Sequence, residues 1–334
     1  MLDRRALIAG AAAPLGACAV ASSLPERQSL LVDLDRAPDF EIDLWPNGAP
    51  GGAVMSLNEH YVERVNPYGL PDRAAHEVTR PTLSAFRAKN PDGSAILIIS
   101  GGGYSWVVVE KEGFEGARLF SRYGSTVYVL KYRLPHQGWG GGPDTPLQDA
   151  QRAMRVIRSR AHEDGIDPTR ILTMGFSAGG HVAGSVSARF DERVYDPVDA
   201  ADRLSARPDA TALIYPVVTM KAPHTHAGSR RNLIGDAPAA ALVEKYSLET
   251  SPPADTPPTF LMHAADDAAV PVENSLALFA ALKSAGIPAA MHVFEKGGHG
   301  FGVRGVDDAP LRRWPSLVLD WAAVHGVCAA SAGP

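Results

Sequence analysis

Short, continuously apolar runs alternate along this chain with longer segments in which apolar residues recur at helical spacing. Apolar runs without polar alternation are typical of strands that are buried on both faces of a parallel sheet. The predicted strands cover residues 96–100, 126–133, 171–174, 212–215, 259–263 and 289–294, and the predicted helices cover 113–122, 147–163, 178–189, 275–285 and 311–323. This order predicts an α/β fold with a mostly parallel central sheet and helices on both faces.

Some segments depart from that alternation. Residues 40–44 and 78–86 precede the first parallel strand and are predicted to form antiparallel edge strands. Residues 134–143 are rich in glycine, and residues 215–251 have no clear period. We expect these two irregular segments to form a small cap or loop insertion that shapes a pocket.

The first residues have the composition of an export signal. Arg4 and Arg5 precede an apolar stretch that is too short to span a bilayer, and the pair resembles a twin-arginine signal. Leu-Gly-Ala followed by Cys18 resembles a lipobox, in which Cys18 is acylated; a plain cleavage near Ala21 or Ser23 is the alternative. We therefore expect a periplasmic or cell-envelope lipoprotein with three parts: a signal peptide (1–17), a tether (18–38) and a folded α/β domain (39–334).

The composition narrows the possible partners. The 334 residues carry a formal net charge of −5 and 45% of them are hydrophobic, so one domain can bury a large core. No basic run points to nucleic acid, and the chain has only 2 cysteines. We expect no disulfide framework, no nucleic-acid partner and membrane contact only through a lipid anchor. The sequence leaves the oligomeric state open.

A candidate nucleophile follows the predicted strand 171–174. Gly175-Phe-Ser177-Ala-Gly179 lies between that strand and a helix of small residues. Gly-x-Ser-x-Gly in this context is typical of a nucleophile elbow, a sharp turn in which the serine has a strained backbone. A side chain at either glycine would collide with a neighbouring strand or helix. We predict Ser177 as the nucleophile and the N–H of Ala178 as an oxyanion donor.

A serine nucleophile needs an imidazole that removes its proton and a carboxylate that orients the imidazole. His299 lies in a glycine-rich loop after the strand 289–294, and Asp267 follows the strand 259–263. We predict His299 as the general base and Asp267 as the orienting acid, with Asp266 as the alternative acid. Structural roles are predicted for three other histidines, which lie in apolar strands or beside the elbow: His181, His263 and His292.

The strand 96–100 ends in three glycines, Gly101 to Gly103. Glycines let backbone N–H groups approach a substrate oxygen closely, so Gly102 and Gly103 are predicted oxyanion donors together with Ala178. Many lipases and esterases carry a histidine before these glycines, where this chain has Ser100. The difference concerns only how the loop is braced, because the donors are backbone groups.

Aromatic residues flank these positions. Tyr104 follows the glycines and Phe176 precedes the nucleophile, so both are predicted to bind substrate and to restrict the acyl side to small groups. Trp139, in the glycine-rich loop 134–143, is predicted to stack on a sugar ring. His224 and His226 form a His-x-His pattern, but no carboxylate or cysteine cluster accompanies it, so we predict no metal and no cofactor.

Together these segments resemble bacterial α/β-hydrolases related to acetylxylan esterases. The resemblance covers roughly residues 40–325 and rests on Gly-Gly-Gly-Tyr, Tyr-Arg-Leu at 132–134, Gly-Ile-Asp-Pro-Thr-Arg at 165–170, Gly-Phe-Ser-Ala-Gly-Gly-His, Asp-x-x-Val-Pro and Gly-Gly-His-Gly-Phe. It implies an α/β-hydrolase fold with catalytic residues in the order Ser, Asp, His. Glycoside hydrolysis normally uses two carboxylates, so the xylanase label that some relatives carry does not fit these residues.

We therefore expect a serine esterase that removes acetyl or other short acyl groups from carbohydrate, such as acetylated xylan or xylo-oligosaccharides. A general carboxylesterase or a feruloyl-type esterase is the alternative, because the residues do not identify the alcohol. A prolyl-oligopeptidase-like peptidase would use the same three residues, but no propeller domain is visible in the sequence. A catalytically dead binding module is disfavoured by the complete set Ser177, Asp267 and His299.

Overall fold

The computed structural model describes residues 30–52, 56–250, 252–304, 306 and 310–330. Its strands are β1 (Phe40–Asp43), β2 (His60–Glu63), β3 (Arg73–His76), β4 (Thr82–Phe86), β5 (Ala95–Ile99), β6 (Thr126–Lys131), β7 (Ile171–Phe176), β8 (Ala210–Ile214), β9 (Thr259–Ala264) and β10 (Ala289–Phe294). Eight of them form one sheet in the order β1-β4-β6-β5-β7-β8-β9-β10, and β2 pairs with β3 separately. β4 is antiparallel to both of its neighbours, whereas the strands from β6 to β10 are parallel.

The helices are α1 (Glu115–Arg122), α2 (Thr145–Ser159), α3 (Ala161–Asp164), α4 (Ala178–Ala188), α5 (Ala227–Ile234), α6 (Ala240–Lys245), α7 (Glu273–Ser284) and α8 (Trp314–Val324). Alternate residues of each inner strand contribute to two separate cores. Ile96 and Ile98 of β5 share a core with α1 and α8, while Leu97 and Ile99 share a core with α2, α4 and α7. The sheet is therefore covered on both faces, which explains its continuously apolar strands.

The predicted fold class is confirmed: the molecule has a mostly parallel central sheet with helices on both faces. Each predicted parallel strand corresponds to one of β5 to β10. The predicted helix over 147–163 is divided, because α2 ends at Ser159 and α3 begins at Ala161. Further features were not predicted: the pair β2–β3, the helices α5 and α6 within residues 215–251, and a π-helical turn, Val109–Phe114, that leads into α1.

Parallel strands place their carboxyl ends at one edge of the sheet, and loops at that edge carry the sites of open α/β folds. Here β5 is followed by Gly101, β7 by Ser177, β9 by Asp267 and β10 by His299. All the predicted catalytic and oxyanion positions therefore lie at the same edge.

The predicted signal peptide, Cys18 and the first part of the tether lie outside the described residues and stay predictions. Among the residues that the structure describes, no helix has both the length and the apolar composition needed to cross a bilayer.

Candidate active site

Ser177 lies at the turn between β7 and α4. Its backbone angles are φ 52° and ψ −121°, a strained combination that persists only where the surrounding structure enforces it. A Cβ on Gly175 would collide with Gly179 and Ala183 of α4, and a Cβ on Gly179 would collide with the carbonyl oxygen of Ile99 in β5. The turn therefore needs both glycines, and close packing against β5 and α4 keeps the serine at the sheet edge.

His299 connects Ser177 with Asp267. Its Nε2 lies 2.8 Å from Ser177 Oγ, and its Nδ1 lies 2.6 Å from Asp267 Oδ2. The Asp267 side chain is 0% exposed and that of His299 is 22% exposed. An imidazole that donates its Nδ1–H to the carboxylate presents a free lone pair on Nε2 to the serine hydroxyl. This arrangement can remove the serine proton when the hydroxyl attacks a carbonyl carbon.

The Asp267 carboxylate is bonded on both oxygens. Oδ1 accepts hydrogen bonds from the N–H groups of Ala269 and Val270, each at 2.9 Å. Burial by itself raises the pKa of Asp267, but hydrogen bonds from His263 and His299 outweigh burial and hold the pKa well below its usual range. Asp267 is therefore a carboxylate throughout the neutral pH range.

Asp266, the alternative acid, has a different contact. Its Oδ1 accepts a hydrogen bond from the Gly298 N–H at 2.8 Å. Asp266 therefore holds the loop that carries His299, while Asp267 contacts the imidazole of His299 directly.

His263 was predicted to have a structural role, but its side chain contacts Asp267 at the site. Its Nε2 lies 3.2 Å from Asp267 Oδ2 and 2.9 Å from the Val270 carbonyl oxygen, and its Nδ1 lies 2.8 Å from Ser275 Oγ. Two acceptors at Nε2 indicate that the proton resides there. His263 thus donates from Nε2 to the carboxylate oxygen that His299 also contacts. His263 lies only four residues before Asp267 in the sequence, but this short separation does not by itself predict a contact between their side chains.

The glycine loop lies directly over the nucleophile. A Cβ on Gly101 would lie 2.8 Å from the Cβ of Ser177, and the Gly101 N–H donates to Glu112 Oε2 at 2.7 Å. Gly102 and Gly103 have φ angles of 130° and 64°, which favour glycine, and their N–H groups have no acceptor within the described residues. Gly102, Gly103 and Ala178 thus stay the predicted oxyanion donors, while the Gly101 N–H is already occupied.

The structure corrects the predictions for Tyr104 and Phe176. Tyr104 is 1% exposed, and its hydroxyl donates to His181 Nδ1 at 2.7 Å. Phe176 is 1% exposed and packs against Tyr215 and Trp314. Both side chains are buried against other parts of the protein, so neither presents a surface to an acyl group.

The structure also corrects the prediction for Trp139. The side chain is 7% exposed, and the guanidinium of Arg133 lies 4.9 Å from its ring centroid. Its indole face is therefore occupied by a cation inside the protein and is closed to a sugar ring.

His181 has the structural role that its position suggested. It is buried between Tyr104 and the carbonyl oxygen of Tyr246, which lies 2.7 Å from Nε2. Burial lowers the pKa of His181 to about 4, although the bond to Tyr246 opposes this shift. His181 is therefore neutral at neutral pH, and its hydrogen bond with Tyr104 links α4 to the end of the glycine loop.

The irregular segment after β8 carries His224 and His226. His226 caps α5 by accepting the Ser229 N–H on Nδ1 at 3.1 Å, so this nitrogen has a structural partner. His224 Nδ1 lies 3.9 Å from a carboxylate oxygen of Glu273. Within the described part of the chain, no three His, Cys, Asp or Glu side chains are grouped so that they could hold a metal ion.

A mostly parallel sheet with a serine elbow, a histidine after the last strand and an acid after the preceding one defines an α/β-hydrolase. Residues 85–282 match the family model described as BD-FAE, and the chain belongs to this family.

Comparisons with individual proteins agree with that assignment. Endo-1,4-beta-xylanase B of Butyrivibrio fibrisolvens is 39% identical over 208 residues, which are 62% of this chain and 32% of that protein. Acetylxylan esterase of Xylanibacter ruminicola is 32% identical over 224 residues, which are 66% of this chain and 43% of that protein. The chain thus spans less than half the length of either curated relative.

A solved structure matches over more of its length. The acetyl ester-xyloside bifunctional hydrolase from Caldicellulosiruptor lactoaceticus is 33% identical with a TM-score of 0.69, and the match covers 87% of this chain and 98% of that one. An esterase from Thermogutta terrifontis has a TM-score of 0.61 at 22% identity, and this likeness supports the fold alone.

Proposed function

We propose that this protein is a serine esterase that removes acetyl groups from carbohydrate, with Ser177 as nucleophile, His299 as general base and acid, and Asp267 as orienting acid. One observation carries the proposal: His299 lies within hydrogen-bond distance of both Ser177 Oγ, at 2.8 Å, and Asp267 Oδ2, at 2.6 Å. The strained elbow and the adjacent glycine loop support the same assignment.

In the first half of the reaction, Ser177 Oγ attacks the ester carbonyl carbon while His299 Nε2 takes the hydroxyl proton. The carbonyl oxygen becomes an oxyanion that accepts hydrogen bonds from the N–H groups of Gly102, Gly103 and Ala178. The imidazolium is stabilised by Asp267 and then gives its proton to the leaving alcohol oxygen. The carbon–oxygen bond to the alcohol breaks, and an acetyl group remains on Ser177.

In the second half, water takes the place of the alcohol. His299 removes a proton from the water, whose oxygen attacks the acetyl carbon, and the same N–H groups stabilise the second oxyanion. Proton return from the imidazolium to Ser177 Oγ releases acetate and regenerates the enzyme. The burial and bonding of Asp267 keep it ionised through both halves.

The acetyl group and the carbohydrate are inferred from the relatives, whose names include acetylxylan esterase and acetyl ester-xyloside hydrolase. The sequence-based argument for a small acyl pocket does not support this choice, because Tyr104 and Phe176 are buried away from the site. The Butyrivibrio relative is named a xylanase, but the match covers only 32% of that protein. Its name therefore gives no reason to propose xylanase activity for this chain.

The nucleophile is tested by covalent labelling. Intact-mass spectrometry of the protein after treatment with an organophosphate should show one adduct, and Ser177→Ala should show none and should lose ester hydrolysis. The matched control is Ser185→Ala, which changes a buried serine on α4 away from the elbow. Labelling of the Ser177→Ala protein, or undiminished turnover by it, would contradict the proposal.

The substrate is tested with one alcohol esterified by acetyl, butyryl and octanoyl groups, alongside acetylated xylo-oligosaccharides and a feruloyl ester. We expect kcat/KM to fall steeply with acyl length and to be highest on the acetylated oligosaccharides. A flat or rising profile would indicate a general carboxylesterase, and preference for the aromatic acid would indicate a feruloyl-type enzyme.

A further inference from the structure

The glycine loop lacks the bracing residue that its motif usually provides. Ser100 takes the place of the histidine, and its Oγ is buried without a hydrogen-bond partner among the described residues. A side chain without a polar contact cannot fix the loop through a hydrogen bond. Another residue must therefore hold Gly101 and its neighbours over Ser177.

Glu112 makes that contact. It lies in the π-helical turn Val109–Phe114, is 4% exposed, and accepts the Gly101 N–H on Oε2 at 2.7 Å. Single π-helical turns recur at functional sites because they displace side chains from the ordinary helical positions. A Cβ on Gly113 would lie 2.7 Å from Val129 and 3.1 Å from Ser100 Oγ, so the turn approaches β5 and β6 closely only because residue 113 is glycine.

The other oxygen of Glu112 reaches the histidine loop through Tyr215. The Tyr215 hydroxyl donates to Glu112 Oε1 at 3.1 Å and accepts the Gly302 N–H at 3.0 Å. The Tyr215 ring lies 5.0 Å from the ring of His299, with the two planes inclined by 62°. Tyr215 also has a φ of 38°, a strained backbone conformation that persists only where the surrounding structure enforces it.

We propose that Glu112 is a positioning residue for ester hydrolysis, which acts through Gly101 on the oxyanion loop and through Tyr215 on the loop that carries His299. By occupying the Gly101 N–H, the carboxylate leaves the next two N–H groups of the loop to face the substrate. By bonding to Tyr215 as well, it fixes the distance between those donors and the imidazole. The inference rests on the proposed function, because it assigns a role within that reaction.

The chain offers a matched control in the same turn. Glu110 is also 4% exposed, but it pairs with Arg73 and Arg118 and makes no hydrogen bond to the described residues of either loop. Glu110→Gln therefore measures the effect of losing a buried carboxylate on the turn itself. The Glu112 variants, Glu112→Gln and Glu112→Leu, measure the effect of losing the contacts with the two loops.

The experiment measures kcat and KM for p-nitrophenyl acetate, the inhibition constant of an alkyl trifluoromethyl ketone, and the melting temperature. The ketone forms a tetrahedral adduct with a serine nucleophile, and its oxygen needs the oxyanion donors. We expect Glu112→Leu to lower kcat by about 10²-fold, in the range seen when one oxyanion donor is lost. KM should stay within a few-fold, and affinity for the ketone should fall in parallel with kcat/KM.

Glu112→Gln keeps one acceptor for Gly101 but presents an amide to Tyr215, so it should lose less activity, about tenfold. Tyr215→Phe removes only the hydroxyl and should resemble Glu112→Gln, which keeps the inference testable if Glu112→Leu does not fold. Glu110→Gln should lower the melting temperature while kcat and ketone affinity stay near those of the unaltered protein.

The inference is wrong if Glu112→Gln and Tyr215→Phe change the melting temperature alone, as Glu110→Gln does. It is also wrong if Glu110→Gln lowers kcat as much as Glu112→Gln, because the effect would then follow from general damage to the turn. Failure of the proposed function looks different: the unaltered protein itself would hydrolyse no acetyl ester and would not react with the ketone.

Discussion

Two adjacent acids at the site differ in what their oxygens contact. Asp267 bonds His299, His263 and two backbone N–H groups, whereas among the described residues Asp266 bonds only the Gly298 N–H. An orienting acid stabilises the imidazolium that forms during acyl transfer, and it selects the productive tautomer of the imidazole. Only Asp267 is placed for that role.

Asp267→Asn should lower kcat by about 10³–10⁴-fold, because an amide does not stabilise the imidazolium and favours the wrong tautomer of His299. Asp266→Asn keeps an oxygen that can accept the Gly298 N–H, so its effect should be at least tenfold smaller than that of Asp267→Asn. Steady-state kinetics on one acetyl ester, with melting temperatures as the folding control, makes the comparison. The reverse ranking at equal stability would reassign the acid.

His181 should make the stability depend on pH. Burial lowers the pKa of His181 to about 4 from its ordinary value of 6.5, so the unfolded chain binds this proton more readily than the folded chain. The contribution of neutral His181 to the free energy of unfolding is complete above pH 6.5 and is lost as the pH falls towards 4. The total change in the free energy of unfolding is on the order of 3 kcal/mol. Urea unfolding of the protein and of His181→Gln at pH 7, 5.5 and 4.5 should therefore give a flatter pH profile for the variant. Equal slopes would show that His181 is not the group responsible.

At the scale of elements, the loop after β6 is joined to the rest of the protein by a buried ion pair. Arg133 and Asp149 of α2 are both 0% exposed, and their charged atoms lie 2.8 Å apart. Trp45 donates to the same carboxylate, and Trp139 covers the guanidinium. A buried pair of this kind depends on the groups that surround it, since either charge alone would be costly in the interior.

Trp139→Ala should therefore lower the free energy of unfolding by about 3 kcal/mol, through the lost burial and the exposed Arg133. KM for an acetylated xylo-oligosaccharide should not change, because the ring does not face the substrate. Chemical denaturation and steady-state kinetics test both parts, and Trp139→Phe, which keeps an aromatic face, should recover much of the stability. A several-fold rise in KM at unchanged stability would restore the sugar-stacking role.

The elements differ in how clearly the sequence predicts them. The inner strands β5 to β9 are largely apolar because both of their faces are buried, so they are visible as runs, whereas the edge strand β10 is only half-buried. β2 is exposed along its whole length and β3 starts with an exposed arginine, so neither has an apolar run that would mark it. The elbow and both loops are predictable because their glycines are required by close packing, as at Gly175 and Gly179, or by a positive φ, as at Gly298 and Gly300.

Side-chain direction at the site was harder to predict than residue identity. Leu172, Met174 and Phe176 alternate onto the face of β7 that packs against α8, so the period of the strand predicts a buried Phe176. Tyr104 has a φ of 60°, and this turn directs its ring to His181, which no sequence pattern indicates. Glu112 was missed because a π-helical turn breaks the ordinary helical spacing.

At the scale of the whole molecule, the catalytic edge depends on one sheet. Each of the four active-site segments follows a different parallel strand. Glu112 accepts hydrogen bonds from Gly101 and Tyr215, and Tyr215 accepts one from Gly302, so two of these segments are connected across the edge. Relative movement of the strands would separate Ser177 from His299, so activity and global stability should be lost together on heating. The amino-terminal segment bears on a different property, the cellular location of this domain.

We propose that the protein is exported in folded form and anchored to the cell envelope through Cys18, which follows the lipobox-like Leu-Gly-Ala. A single modified cysteine joined to the domain through a short tether would hold the enzyme at the membrane and leave the sheet edge free. Cys18→Ser should move the esterase activity from the membrane fraction to the soluble envelope fraction, and Arg4→Lys/Arg5→Lys should retain the precursor in the cytoplasm. Cell fractionation with an activity assay and immunoblotting separates the two steps. Membrane association that persists in Cys18→Ser would exclude the lipid anchor, and normal export of the double lysine variant would exclude the twin-arginine route.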